Sequence, residues 1–241
     1  MTWLRQLNVG VGTSRLVCLP YAGGNGTIYE SWTKWLPPEV ELWAPDLPAR
    51  EQRMLEAPVE DMELLVGTLA DELSSDDRPT TVFGHSFGAL VAFELSRSLQ
   101  RGPHPVRCLA VSGMTAPRTL PDRPAPTDAE ILASLRSHGV APEEFFRQPE
   151  LLELVMPGLR ADYRMALGYR YHRGPKLSAP VFAMGGTDDS AVPAQGLAAW
   201  AEESDDGCRT RMWQGGHMYL LDQVEEVAGF VIACHQQPIG G

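Results

Sequence analysis

Residues 80–95 read TTVFGHSFGALVAFEL, with Gly84-His85-Ser86-Phe87-Gly88 between an apolar run and a segment of helical spacing. Such an order of strand, sharp turn and helix is typical of a nucleophile elbow, which exposes a serine hydroxyl at a sheet edge. The turn requires small residues on both sides of Ser86, and the two glycines meet that requirement. The serine also precedes a helix, whose free N-terminal N–H groups can stabilise an oxyanion. We therefore predict a catalytic serine at position 86, with a merely tight turn as the alternative.

On either side of this stretch, short apolar runs alternate with amphipathic segments. This alternation is typical of a mainly parallel sheet with helices on both faces, and it predicts an α/β fold. We predict strands at residues 16–19, 41–44, 80–83, 108–111, 181–184 and 209–213. We predict helices near residues 28–36, 63–73, 89–95, 194–203 and 222–234.

The alternation stops at residues 115–176, which we call the lid. Thr127 and Glu130 have the spacing of a capping box at the start of one helix. A second helix is predicted over residues 151–169, bent or interrupted near Pro157-Gly158. Insertions above the carboxyl ends of strands usually border the ligand site, so we interpret this segment as a helical lid inserted in the domain. A small extra domain without a role in substrate access is the alternative.

With 241 residues and 44% hydrophobic content the chain can form a core of its own, and its size fits one α/β domain or two small ones. We predict one domain over residues 1–241. No run approaches the roughly 18 apolar residues of a membrane span. The first residues lack a basic segment followed by an apolar block, so we expect no secretory signal. Cys18, Cys108, Cys208 and Cys234 lie far apart, without the spacing of a metal site. We expect a cytoplasmic protein that makes no membrane contact.

The charge of the chain is negative and unevenly distributed. A net charge of −11 argues against nucleic acid as a partner. The lid carries nine Arg or Lys and eight Asp or Glu, a balance of +1, whereas the remainder carries eleven and 23, a balance of −12. The lid is therefore nearly neutral, whereas the rest of the chain is strongly negative.

A serine nucleophile needs a general base that is itself oriented by a carboxylate. In the α/β-hydrolase order the acid follows a later strand and the histidine comes last. His217 lies between the last predicted strand and helix, so we predict it as the base, with a structural loop histidine as the alternative. His85 should point away from the serine hydroxyl. The remaining histidines are His104, His138 and His172 in loops and His235 at the end of the last helix, where the helix dipole favours a cation.

The loop after the strand at residues 181–184 contains two acidic residues. We favour Asp189 as the orienting acid and keep Asp188 as an alternative that hydrogen-bonds its own turn. The glycines of this loop would allow it to pass close to the loop of His217. For the oxyanion hole we predict the backbone N–H groups of Phe87 and Ala22.

Four motifs in this order resemble type II thioesterases, the editing thioesterases of polyketide and nonribosomal peptide assembly lines. They are residues 18–24 (CLPYAGG), 44–53 (APDLPAREQR), 83–90 (FGHSFGAL) and 215–219 (GGHMY). The resemblance covers nearly the whole chain outside the lid. It implies an α/β-hydrolase fold, a triad of Ser86, Asp189 and His217, and oxyanion donors at Ala22 and Phe87. The family often has Met at position 87 and Gly at position 49, and the Phe and Ala found here are expected to narrow the acyl pocket.

The resemblance also implies the substrate, an acyl group on the phosphopantetheine arm of an acyl or peptidyl carrier protein, with no metal or other cofactor. The enzyme would remove aberrant or stalled acyl units by hydrolysis through an acyl-enzyme. An acyltransferase, a cyclase or a product-releasing esterase with the same triad is the nearest alternative. A non-catalytic module that binds carrier proteins is a more distant one. We leave the oligomeric state open and favour a monomer.

Lid residues supply the predicted binding surfaces. Carrier proteins of this kind are typically acidic, as the resemblance implies, and the lid is the least repulsive surface for them. A cluster of basic residues, Arg160, Arg164, Arg170, Arg173 and Lys176, lies there, with Arg170 and Arg173 predicted to dock the carrier; solvated faces with local ion pairs are the alternative. The residues predicted to line the acyl chamber, some of which we expect only to pack the lid, are Phe145, Phe146, Leu151, Met156, Leu159 and Tyr163.

Overall fold

The computed structural model describes residues 2–102 and 106–236. Within those ranges one sheet of seven strands has the order β1-β3-β2-β4-β5-β6-β7. The edge strand β1 runs antiparallel to β3, and every other pairing is parallel. The strands are β1 (Leu4–Gln6), β2 (Ser14–Leu19), β3 (Val40–Pro45), β4 (Thr80–His85), β5 (Val106–Ser112), β6 (Val181–Gly186) and β7 (Cys208–Trp213).

Seven α-helices connect and cover these strands in the described part of the chain. They are α1 (Met62–Leu73), α2 (Phe87–Leu99), α3 (Asp128–Ser137), α4 (Pro149–Gly168), α5 (Ala194–Ala198), α6 (Tyr219–Asp222) and α7 (Val224–Gln236). The longest 3-10 segment is Gly26–Lys34. No helix of residues 2–102 and 106–236 is long and apolar enough to cross a membrane.

Apolar side chains form a separate core on each face of the sheet, because successive residues of a strand point to opposite faces. On β2, Val17 and Leu19 pack with α1 and α2, whereas Leu16 and Cys18 pack on the other face with Tyr29, Trp32 and α7. These two cores give three layers, helices on both faces of a mainly parallel sheet. The predicted α/β fold class is confirmed.

The chain between β5 and β6 contains α3 and α4, which lie in the lid. Thr127 caps α3 with a capping box, since its hydroxyl accepts from the Glu130 N–H and the Glu130 carboxylate accepts from the Thr127 N–H. α3 and α4 pack on each other through a small apolar cluster of their own, which includes Leu135 and Leu159. The lid therefore has a separate core above the sheet.

Several predicted elements differ from the observed ones. β1 has only three residues, too few to show an alternating pattern in the sequence, and its pairing with β3 defines it. The predicted helix near residues 28–36 is the 3-10 segment Gly26–Lys34. α4 continues through Pro157 without interruption. The final helix begins earlier than predicted and is divided into α6 and α7.

His235 does not act as a helix-terminal cation, so that expectation is wrong. Its ring is 3% exposed and is hydrogen-bonded to the Ser14 hydroxyl at 2.8 Å and the Thr81 hydroxyl at 2.9 Å. Burial, followed by the charge of Arg107, lowers the pKa of His235 to about 4. The neutral ring is part of the core. His104 lies outside the described residues.

Candidate active site

The backbone of Ser86 has the strained conformation of a nucleophile elbow. Its φ is 54° and its ψ is −121°, far from the regions that non-glycine residues favour, at a cost of about 1–3 kcal/mol. A Cβ on Gly84 would lie 2.0 Å from the Gly88 carbonyl oxygen, and one on Gly88 would lie 2.2 Å from the Leu19 carbonyl oxygen. Both glycines are thus required by close backbone contacts. The turn leaves the Ser86 side chain partly exposed above β4.

Three side chains that follow β4, β6 and β7 meet at the carboxyl edge of the sheet. The Nε2 atom of His217 lies 3.0 Å from the Ser86 hydroxyl oxygen, and its Nδ1 atom lies 2.7 Å from Asp189 Oδ2. His217 is 7% exposed and Asp189 is 8% exposed. The arrangement has the order that a nucleophile, a general base and an orienting acid require.

The two acidic residues of the β6 loop point to different partners. Burial alone would raise the pKa of Asp189, but the hydrogen bond and charge of His217, with the Ala191 N–H, outweigh burial and lower this pKa. Asp189 is therefore ionised at neutral pH. Asp188 is exposed, and its carboxylate accepts a long hydrogen bond of 3.4 Å from Gln214. Of the two carboxylates, Asp189 is the one hydrogen-bonded to His217.

Gly186 allows the loops of Asp189 and His217 to approach each other. A Cβ at this position would lie 2.4 Å from the carbonyl oxygens of both Gly215 and Gly216. The Asp188 N–H also donates to the Gly215 carbonyl at 2.9 Å, which ties the two loops together. The expected close passage of these loops is present in the structure.

A Gly186→Ala variant should lower kcat for hydrolysis of an acyl substrate by about 10²-fold. The added methyl group must push the backbone of residues 215–216 away, and a shift of about 1 Å in a catalytic group costs roughly that factor. Gly216→Ala is the matched control, because a Cβ there meets nothing within 4 Å. Steady-state kinetics on both variants would test this, and equal activity of the two would contradict the steric argument.

The predicted oxyanion donors lie in two loops that leave neighbouring strands at the same level. Leu19 at the end of β2 pairs with Gly84 on β4, so the loop of Ala22 and the elbow lie side by side. Phe87 is the first residue of α2, where backbone N–H groups lack intrahelical acceptors. Phe87 and Ala49 are the two positions at which the chain differs from the family's usual residues. The Phe87 side chain is buried in the core with α1. Ala49 borders a cavity under the lid.

Two other histidines contact His217. His85 is fully buried behind it, with ring centroids 5.1 Å apart and its Nδ1 atom 2.8 Å from the Ser112 hydroxyl. His138, at the end of α3, stacks on the outer side of His217 with centroids 4.2 Å apart. Burial and the charge of His217 lower the pKa of both flanking rings. The sequence contained no signal for the His138 contact, because the fold of the lid creates it.

Two cavities adjoin this edge of the sheet. One, of about 320 Å³, lies under the lid and is lined by the loops of residues 21–25 and 49–51 and by apolar residues of the lid. The other, of about 340 Å³, is more polar and borders His138, Asp189 and His217. The lining of the first cavity is suited to an apolar ligand chain, and that of the second is suited to a polar chain.

Of the six residues predicted to line the acyl chamber, five divide into two groups. Phe145 and Leu159 line the apolar cavity. The other three pack the lid: Phe146 and Met156 are buried in its core, and the Tyr163 hydroxyl donates to Ser134 at 3.0 Å. An Arg136 guanidinium also covers the Phe146 ring at 4.3 Å. Leu151 is only partly buried and is not among the residues lining this cavity.

The basic residues of the lid are mostly paired on the surface. Arg160 pairs with Asp128 at 2.6 Å, Arg164 with Glu60 at 3.4 Å, and Arg170 with Asp122 at 3.0 Å. Arg173 and Lys176 are exposed, and no ion pair is found for either among the residues that the structure describes. The neighbouring carboxylates offset the charge of the three paired arginines at a distance.

No group of three or more His, Cys, Asp or Glu side chains in residues 2–102 and 106–236 has an arrangement that could hold a metal ion. The four cysteines are free thiols, three of them buried. What the site contains is a partly exposed hydroxyl, a base, a buried carboxylate and a helix N-terminus. This set can form and hydrolyse an acyl-serine ester.

Comparisons with known proteins agree with this chemistry. The family model described as a thioesterase domain matches residues 14–234. Thioesterase PikA5 of Streptomyces venezuelae is 37% identical over 232 residues, which cover 93% of this chain and 82% of the relative. Gramicidin S biosynthesis protein GrsT of Aneurinibacillus migulanus is 32% identical over 236 residues, 95% of this chain and 92% of the relative. Among solved structures, the type II thioesterase BorB from the borrelidin biosynthetic cluster has a TM-score of 0.87 at 34% identity, over 96% of this chain and 97% of that chain.

Proposed function

This chain belongs to the thioesterase domain family, and from that membership we propose that it is a type II thioesterase of a polyketide or nonribosomal peptide assembly line. It is a serine hydrolase that acts on thioesters. Its proposed substrates are aberrant or stalled acyl groups on the phosphopantetheine arm of carrier proteins, and its product is the free acid. The observation that carries the proposal is the hydrogen-bonded series Ser86–His217–Asp189 in a member of this family.

In the proposed mechanism the Ser86 hydroxyl oxygen attacks the thioester carbonyl carbon while His217 Nε2 accepts its proton. The N–H groups of Ala22 and Phe87 bind the negative oxygen of the tetrahedral intermediate. The C–S bond then breaks, and the pantetheine sulfur leaves as a thiol with the proton from His217. Water, activated by the same imidazole, attacks the acyl-serine, and the acid leaves as Ser86 regains its proton.

Cleavage of a thioester requires less help from a general acid than cleavage of an amide. A thiolate is a far better leaving group than an amide nitrogen, so protonation by His217 matters less for bond cleavage than for activation of Ser86. The mechanism uses no metal or organic cofactor, and the only phosphopantetheine is the one that the substrate carries. We assign the acyl chain to the apolar cavity of about 320 Å³ and the pantetheine arm to the polar cavity of about 340 Å³.

The decisive experiment measures products from an acyl-loaded carrier protein. Hydrolysis should give one free acid per holo-carrier, with turnover in water alone. An acyltransferase or cyclase would instead give an ester, amide or ring, and only when its acceptor is supplied or present in the acyl chain. A panel of acyl chains of different length and branching would define the specificity. Intact acyl-carrier after prolonged incubation would refute the proposal.

The docking site for the carrier is proposed at the basic end of the lid, around Arg170 and Arg173. Charge reversal of both residues to Glu should raise KM for the acyl-carrier by about 10-fold and leave kcat/KM for a small soluble thioester unchanged, because rim charges act mainly on encounter. Kinetics on both substrates at low and moderate salt would measure this. The matched control is Arg123→Glu, a lid residue outside the cluster. Equal losses on both substrates would rule out docking at this surface.

A further inference from the structure

We propose that Asp162 on α4 is a positioning residue for the oxyanion loop, residues 21–24. The inference depends on the proposed function, because it assumes that the Ala22 N–H binds the oxyanion. Asp162 is fully buried, at 0% exposure. It acts through the loop and not on the reacting atoms.

The oxyanion loop is a tight turn. The Gly24 N–H donates to the Tyr21 carbonyl at 2.9 Å, and Gly23 has a φ of +77°, as the third residue of a type II turn requires. The Tyr21 carbonyl and the Ala22 N–H belong to one planar trans peptide and point in opposite directions. The turn hydrogen bond holds that peptide, so loss of the turn would change the direction of the proposed donor.

Asp162 holds the central peptide of this turn. Its Oδ2 atom accepts the Gly23 N–H at 2.7 Å. Type I and type II turns differ mainly by rotation of that central peptide, which reverses the direction of its N–H. The carboxylate thus favours the type II form, in which the Gly23 N–H points to α4.

Arg50 contacts both the Asp162 carboxylate and the oxyanion loop. Its guanidinium makes a bidentate pair with Asp162, at 3.0 Å for both hydrogen bonds, and also donates to the Gly24 carbonyl at 2.9 Å. The residues on both sides of Arg50 have positive φ, 62° for Ala49 and 44° for Glu51, an uncommon and strained arrangement. Two peptide groups at this turn, those of the Gly23 N–H and of the Gly24 carbonyl, are therefore tied to one buried ion pair.

Close packing couples α4 to the same loops. A Cβ on Gly23 would lie 2.5 Å from Leu159 Cδ2, and a Cβ on Gly158 would lie 2.9 Å from the Ala49 carbonyl oxygen. These contacts leave little room for α4 to move without moving the loop. Although α4 belongs to the lid, it is thus part of the wall that shapes the oxyanion hole.

An Asp162→Asn variant tests the proposal on a small soluble acyl thioester, with the concentration of active sites fixed by complete titration with a serine-directed phosphonate. We expect kcat per titrated site to fall by about 10- to 100-fold with KM changed less than about 3-fold, since the transition state loses a correctly aimed donor. Affinity for a boronic acid that forms a tetrahedral adduct should fall with kcat. Asp128→Asn, which removes the exposed pair between α3 and Arg160 of α4, is the matched control.

A second variant separates positioning from stability. In Arg50→Met/Asp162→Leu, apolar side chains replace the buried pair, which can restore or raise Tm. We expect kcat to stay low in this variant whatever its Tm. Wild-type kcat per titrated site in either variant would overturn the proposal. Failure of the wild-type protein to hydrolyse any thioester would be a different result, because it would refute the proposed function itself.

Discussion

Replacement of Ser86 by alanine should reduce kcat/KM for an acyl thioester by about 10⁵-fold or more, because the proposed acyl-enzyme cannot form without the hydroxyl. The hydroxyl is the atom that lies 3.0 Å from His217 Nε2. Alanine fits the same space and keeps the partly exposed position. We therefore expect folding, followed by circular dichroism and thermal unfolding, to be retained.

The residual rate of this variant is itself informative. The oxyanion donors and the binding cavities remain, so hydrolysis should still exceed that in water. A fluorophosphonate should label the wild-type protein once, at Ser86, and should not label the alanine variant. Substantial turnover by Ser86→Ala, or labelling of another serine, would show that the nucleophile lies elsewhere.

The second large effect is expected for Asp189→Asn, which should lower kcat by about 10³- to 10⁴-fold. The Asp189 carboxylate accepts from His217 Nδ1 at 2.7 Å, so it places the lone pair of the imidazole on Nε2, facing Ser86. An asparagine amide can stabilise the opposite tautomer, in which Nε2 carries the proton and cannot accept another. It also removes the charge that stabilises the imidazolium of the transition state.

Asp188→Asn is the matched control for this variant. Asp188 is the neighbouring residue with the same side chain, but it is exposed and hydrogen-bonded to Gln214. Its replacement should change kcat by less than about twofold, as exposed substitutions usually do. Kinetics on the two variants would decide between the carboxylates. A large loss in Asp188→Asn with an active Asp189→Asn would reverse the assignment.

The elbow could be predicted from the sequence because its constraints are local. Gly84 and Gly88 are needed within one strand–turn–helix unit, and the conformation of Ser86 in the structure has that form. The alternating apolar runs likewise predicted which strands end at the same edge. Of the two acidic residues in the loop after β6, Asp189 was favoured from the sequence with Asp188 as the alternative, and in the structure the Asp189 carboxylate is the one hydrogen-bonded to His217.

The lid was predicted less completely than the sheet. Its helices and the capping box of Thr127 followed from local signals. The sequence did not show which of its apolar residues would face the cavity. A helix that contacts both a cavity and a neighbouring helix has apolar residues on both of those sides, so hydrophobicity alone does not distinguish them. Phe145 and Leu159 line the cavity, whereas Phe146 and Met156 pack the lid.

The amino-acid sequence alone thus determined the α/β architecture and the elbow, since these depend on contacts between residues close in the chain. The loops of the base and the acid were indicated by the order of the motifs and their resemblance to type II thioesterases. Only the tertiary structure showed which side chains of the lid contact the site. The Asp162 carboxylate meets the Gly23 N–H across 139 residues, and His138 stacks on His217 from a separate segment. Neither contact has a local pattern, because each arises only when the packing of the lid on the sheet brings distant segments together.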